Sequence, residues 1–476
     1  MSQSSSHDPK SQLRRVMGFW DVLLFNIAAV LGPRWIAAAA HNGTSSISLW
    51  ILAALLFFVP TAFVVLELST RFPHEGGLYA WSKEAFGEFH GFVAGWTYWV
   101  YTFFYFPGLL MASAAMAAYI GGSSGEHLAQ NRTFLLAGAV LMLLIAVVMN
   151  IVGLNVGKWL QNAGGVGTYV PLVMLIGLGA YLWHARGSAT HFTLHNMIPV
   201  WDWNTVNFWP QIAFAFTGLE LVATMSEEVR DPQRTFKRAV FGSGFSIAIL
   251  YIAGTIAVLA MQSAETVDPK SGVFGAIAQG SALLGIGFFG IIAAMLVTAG
   301  NAGGVGTTVA GISRIPFVVG IDRYLPRAFG KIHPKWRTPW VSILVQAGIS
   351  CSILLLIQLN ESANSAYQIL VDAGTILNFI PFLYMYAAAI KLASRPDRKS
   401  NSNAVLIPGG ELGVWIAGSL GFLVVLIGIA LSFVPPGESA NKWLFEAKLV
   451  AGTGLFVLFG LILYWRGARS KAEEAA

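Results

Sequence analysis

Apolar residues in this chain neither alternate nor form narrow stripes. They run on for about twenty positions at a time and are interrupted by short stretches rich in Lys, Arg, Pro and Gly. A helix needs roughly 20 consecutive, mostly apolar residues to cross a bilayer. Twelve runs reach that scale: 19–40, 47–68, 86–120, 133–152, 159–183, 208–226, 240–261, 283–312, 341–359, 366–392, 414–433 and 449–465. They are too long and too uniformly apolar for the strands of a membrane barrel, which alternate over about ten residues. The expected fold class is an all-α membrane protein with twelve transmembrane helices, numbered here as spans 1 to 12.

Composition supports this pattern. Of the 476 residues, 55% are hydrophobic and 11% are charged, where a soluble domain carries about 25% charged residues. With a mean hydropathy of +0.64, a soluble enzyme, a disordered chain and a nucleic-acid-binding module are excluded. The net charge of +6 suggests an anionic partner until the charges are placed. Twelve spans put both termini on one side, and of the 29 Lys and Arg all but Arg34, Arg132, Arg186, Lys270, Lys442 and Lys448 fall there. The positive-inside rule then places both termini in the cytoplasm, on a multi-pass protein of the cell membrane. The charge is a topology signal, membrane lipid is the expected surrounding, and no obligate protein partner is evident.

The longest loops, 314–340 and 184–207, are too short for a catalytic domain, so any chemistry must lie between helices. None of the nine histidines falls mid-span. The paired His and carboxylate of an intramembrane metalloenzyme are missing. So is a Ser or Cys beside a base. The single cysteine, Cys351, cannot form an intrachain disulfide. No enzyme activity, metal or cofactor is expected, and movement of a solute across the membrane is what remains.

Helices that bind a solute at membrane depth must be interrupted, because bare main-chain groups are tolerated there only where they line a cavity. Span 1 contains Leu31-Gly32-Pro33-Arg34 and span 6 contains Phe216-Thr217-Gly218-Leu219-Glu220. These spans head two sets of five, 1–5 and 6–10, and odd-sized sets lie inverted relative to each other. Matched interruptions in two halves point to a binding site. The competing reading is that Gly and Pro merely bend these helices.

Further motifs give the chain a family likeness. Glu67 to Trp81, with Pro73-His74-Glu75-Gly76-Gly77-Leu78-Tyr79, resembles the E-x-x-x-x-x-P-x-x-G-G-x-Y-x-(W/Y) stretch of the amino acid–polyamine–organocation superfamily of permeases. Phe216 to Glu220 is similar to that superfamily's F-x-G-x-E, and Glu228-Val229-Arg230-Asp231-Pro232-Gln233-Arg234 to its E-x-x-(N/D)-P-x-R turn. The resemblance implies a five-plus-five inverted repeat, 19–183 and 208–392, with two appended helices over 414–465 and cytoplasmic tails 1–18 and 466–476. It implies alternating access around a central site for an amino acid or related amine. The substrate carboxylate would meet span 1 amides at Ala29, Val30, Leu31 and Gly32. Its amine would meet span 6 carbonyls around Ala215, Thr217 and Gly218. Tyr98 and Phe214 would be aromatic gate or lining residues. Glu220 would be a hydrogen-bonding or protonatable residue beside the unwound segment. The chain departs from the family in span 1, where Ala29-Val30-Leu31 replaces G-(S/T)-G, and in span 5, where Thr168 stands where several relatives hold lysine. Span 1 and Phe57-Phe58-Val59-Pro60 resemble the glutamate/γ-aminobutyrate antiporter branch.

An arginine inside a span is costly by at least ~2.5–3.5 kcal/mol and is a functional-site hypothesis by default. Arg34 either lines an outer vestibule and attracts a carboxylate, the substrate's or Glu220, or snorkels to the nearby interface. Glu220 either cycles a proton or holds its half-helix by a hydrogen bond. Thr168 and Thr307, beside glycine runs in spans 5 and 8, form a weaker candidate cation site. The expected function is secondary active amino-acid transport, by proton-coupled symport or by exchange. The alternatives are a polyamine or amine exchanger and a transport-dead membrane sensor.

Overall fold

The computed structural model describes residues 15–200, 202–269, 271–360, 363–399, 404–435 and 442–475. Most of the expected N-terminal tail lies outside the described residues. Within them the regular structure is helical, and β pairing amounts to one bridge between Met17 and Val229.

Among the described residues ten helices are long and apolar enough to cross a membrane, and they coincide with spans 1–5, 7, 8 and 10–12. Span 6 is divided into the helix Trp203–Ala215 and a 3-10 stretch, Leu221–Glu228. Span 9 is the 21-residue helix Trp340–Asn360. Span 1 is also divided, into Phe19–Val30 and Pro33–His41. The two interrupted crossings therefore head the two sets of five. Two expected boundaries move. Span 8 begins at Phe288, because Gly272–Leu283 is a separate helix packed on the second half of span 1. The last helix continues to Ala475, so the expected C-terminal tail extends span 12.

Glycine sets how closely the helices around the breaks can approach. A Cβ on Gly303 of span 8 would lie 2.1 Å from the Gly164 Cα of span 5, and one on Gly300 would lie 2.7 Å from the Thr168 Oγ1. Any side chain there would push the two backbones apart, which is the small-residue packing that membrane helices use.

One face gathers most of the ion pairs and both described chain ends. Lys83 pairs with Asp322 at 2.7 Å, Arg395 with Glu84 at 2.5 Å, and Lys471 near the C-terminal end with Glu88 at 3.4 Å. Glu67 is buried there. It receives Arg71 at 3.2 Å, the Arg398 guanidinium at 2.7 and 2.9 Å, and the Ile407 amide at 2.8 Å. This is the basic face of the protein.

Candidate functional site

The break in span 1 follows from its residues. Proline has no N–H to continue the preceding helix but suits the first position of a new one. Pro33 opens the second piece, while Leu31 and Gly32 are extended. The freed groups meet a residue that the sequence reading did not single out. The Gly32 amide donates to the Tyr251 hydroxyl of span 7 at 3.0 Å. That hydroxyl in turn faces the Val30 carbonyl at 2.5 Å and the Ala215 carbonyl of span 6 at 3.0 Å. Its single proton serves these two acceptors. Trp50 stacks on the Tyr251 ring at 4.3 Å and fixes it.

The break in span 6 is held differently. Gly218 has φ +123°, a backbone region that L side chains rarely adopt. A Cβ there would lie 3.0 Å from Val30 Cγ2 and 3.1 Å from the Ala29 carbonyl. The two breaks thus touch. Glu220 is buried behind them. One oxygen accepts from the Gly218 amide at 2.9 Å, the other from the Tyr98 hydroxyl at 2.5 Å.

Between the breaks lies a cavity with an empty volume of about 620 Å³, including its part open to solvent. Ala29, Val30, Leu31 and Gly32 line it from span 1, and Phe214, Ala215, Thr217 and Gly218 from span 6. Arg34 and Thr168 also line it. Two sequence-based placements are corrected. Tyr98, expected to gate or line the cavity, does not reach the lining, because its hydroxyl binds Glu220 behind the unwound loop, where Glu220 stands beside the unwound segment. Thr307 is buried on span 8 beyond the lining, and its hydroxyl has no hydrogen-bond partner among the described residues. The two threonines therefore do not share the cavity.

Arg34 is 4% exposed. Its guanidinium sits 4.4 Å from the Trp35 ring centroid and 5.0 Å from that of Tyr105. Cation–π contact compensates a buried charge in part. Among the described residues Arg34 forms no ion pair, so the expected pairing with Glu220 is absent. Arg34, Tyr105 and Phe214 also line a second, smaller recess toward span 10. Phe214 stands between the two spaces, with its ring 5.7 Å from Trp35, 6.0 Å from Tyr105 and 6.3 Å from Phe379.

The sequence reading missed Tyr101, Tyr105 and Asn301, which all line the cavity. A signal for the tyrosines was present. Tyr98, Tyr101 and Tyr105 recur at helical spacing and share one face of span 3.

The family model described as amino acid permease matches residues 17–456. An uncharacterized transporter of Legionella pneumophila is 28% identical over 97% of this chain and 98% of its own length. A probable agmatine/putrescine antiporter, AguD of Lactococcus lactis, is 22% identical over 96% of both chains. The serine/threonine exchanger SteT of Bacillus subtilis is 26% identical over 74% of this chain and 78% of its own. Among solved structures, MhsT in complex with L-phenylalanine shares the fold, with a TM-score of 0.64 and 15% identity, over 87% of this chain and 98% of that one.

Proposed function

The chain belongs to the amino acid permease family, as a multi-pass secondary transporter rather than an enzyme, and from that premise we propose that it carries an amino acid across the cell membrane with its basic face in the cytoplasm. The substrate sits between the two breaks. The observation that carries this reading is one cavity lined by both interrupted helices and by an arginine without an ion pair among the described residues.

Arg34 receives a carboxylate, for which a guanidinium offers a two-pronged donor set. Phe214 closes the cavity on the side of the smaller recess. Tyr98 and Glu220 hold the unwound loop of span 6, and Glu220 exchanges a proton during the cycle. Exchange is favoured over symport by two relatives whose names denote an antiporter and an exchanger. The likeness to AguD favours an amine exchanger as the second reading. A guanidinium facing the cavity weighs against a polycation there.

Uptake into proteoliposomes tests this, with vesicles empty or preloaded with candidate amino acids and amines, with and without a pH gradient. Exchange predicts uptake that depends on internal substrate, and symport predicts uptake into empty vesicles driven by the gradient. No flux under any of these conditions would sink the proposal. Arg34→Ala is expected to reduce uptake of acidic amino acids about tenfold more than that of neutral ones, the scale of a lost charge-assisted bond. Equal loss for both would remove its role in recognition.

A further inference from the structure

A second buried carboxyl group lies on the basic face, away from the cavity. Glu75 belongs to the loop between spans 2 and 3 and is 1% exposed. One of its oxygens accepts from the Glu227 amide at 3.2 Å, and the other, Oε1, has no hydrogen-bond partner among the described residues. The charged groups facing it are Glu227 and Glu228 from the end of the span 6 half-helix and Arg314 from the helix that follows span 8. His74, next to it in the loop, is exposed, and Tyr79 and Lys83 of the following helix are bound to Asp322.

Arg314 is fully buried, and its fork is already committed. Its Nε and Nη2 donate to the two Glu228 oxygens at 3.1 Å each, and its Nη1 to the Ala310 carbonyl at 2.6 Å and the Ser313 hydroxyl at 3.2 Å. One guanidinium thus faces two buried carboxyl groups and neutralises one. The same place ties four segments together. The Gly76 amide donates to the Thr224 carbonyl at 3.1 Å, and the Thr224 hydroxyl to the Gly311 carbonyl at 2.8 Å. The amides of Val16 and Met17 donate to the Glu228 carbonyl at 2.9 and 3.2 Å.

Resting on the transport reading above, we propose that Glu75 is a proton-binding site that locks the gate on the basic face. With a proton on Oε1, the loop, the half-helix and Arg314 stay joined around one ion pair. When that proton leaves to water, a second anion competes with Glu228 for the guanidinium, and the seal loosens. Burial, reinforced by the neighbouring charge of Glu228 and opposed by that of Arg314, holds the Glu75 carboxyl well above the usual carboxylate range. The sign follows from this. The sealed state binds the proton more tightly than an opened, hydrated one does. Acid therefore favours the seal, and the preference is lost as pH rises from the ordinary carboxylate range through the raised value.

The test uses the full chain in lipid nanodiscs, without substrate or gradient, so that it does not depend on flux. In a Cys351→Ala background, Ser226→Cys places a reporter at a site that is 2% exposed beside the seal. Its maleimide labelling rate is normalised at each pH to that of the unfolded chain. We expect labelling to rise about fivefold or more from the acid to the alkaline end of the titration, the scale of an ordinary coupling between two sites. Glu75→Gln, which keeps the acceptor and loses the charge, is expected to stay at the acid-side rate throughout. An infrared band of a protonated carboxyl group is expected to titrate in step with the labelling and to vanish in Glu75→Gln. Labelling that does not change with pH, an unchanged rise in Glu75→Gln, or a missing band would overturn the site. If Glu75→Gln does not fold, Glu75→Asp must shift the midpoint of the labelling curve, and an unmoved midpoint would also overturn it. A protein that passes these tests but carries no solute refutes the transport reading and leaves the proton site standing.

Discussion

The two interrupted helices meet at one cavity, yet they satisfy their freed main-chain groups by different chemistry. Span 1 relies on a neutral hydroxyl from another helix, since Tyr251 receives the Gly32 amide and faces the Val30 carbonyl. Span 6 shares that hydroxyl through its Ala215 carbonyl but adds a carboxyl group from its own loop, since Glu220 receives the Gly218 amide and the Tyr98 hydroxyl. At membrane depth an unmet main-chain group costs several kcal/mol, so neither break persists without such a partner. The difference separates two tasks. A tyrosine hydroxyl pins geometry without changing charge over the working pH range. A carboxyl group does the same work and can also change its proton count, so the proposed cycle assigns coupling to span 6 and leaves span 1 as the fixed reference.

The largest expected effect comes from the point where the breaks touch. Gly218→Ala would force a side chain into a backbone conformation that costs about 1–3 kcal/mol. It would also press its Cβ against Val30 and the Ala29 carbonyl. Uptake should fall to about a tenth or less, with a lower thermal midpoint of the purified protein. Normal uptake would mean that the loop does not need this conformation during the cycle.

Tyr251→Phe comes next. It keeps the stack on Trp50 but strands the Gly32 amide and the Val30 carbonyl, at about 1–3 kcal/mol for a buried unmet group. Thermal stability should drop, and uptake should fall for acidic and neutral substrates alike, since the hydroxyl sets geometry and makes no choice among side chains. Wild-type stability in this variant would break the contrast, because span 1 would then hold its shape without a partner.

That contrast was half legible in the sequence. Gly32-Pro33 and Thr217-Gly218 announce interruptions because glycine and proline act locally on the backbone, and Arg34 and Glu220 announce themselves because charge within an apolar run is rare. Tyr251 gives no such sign. It lies 219 residues from Gly32 and looks like any aromatic residue in an apolar helix until the fold brings the two together. The withdrawal of Tyr98 from the cavity was hidden for the same reason, since spacing along one helix does not say what stands behind it. Glu75 was read as part of a motif, while its burial is set by the half-helix of span 6 and by Arg314.

The smallest expected effect on stability is the most informative about mechanism. Glu220→Gln can keep both contacts, with its carbonyl oxygen accepting from the Gly218 amide and its NH2 group donating to the Tyr98 hydroxyl. Stability should therefore change by less than about 1 kcal/mol, the net worth of a typical hydrogen bond. What the amide cannot do is release or take up a proton. If Glu220 carries the coupling proton, the dependence of uptake on pH should flatten in this variant, and a pH gradient should no longer drive net uptake. Exchange of one internal substrate for another should survive. If the pH profile is unchanged, Glu220 is a structural clasp like Tyr251, and the division of labour between the two breaks fails.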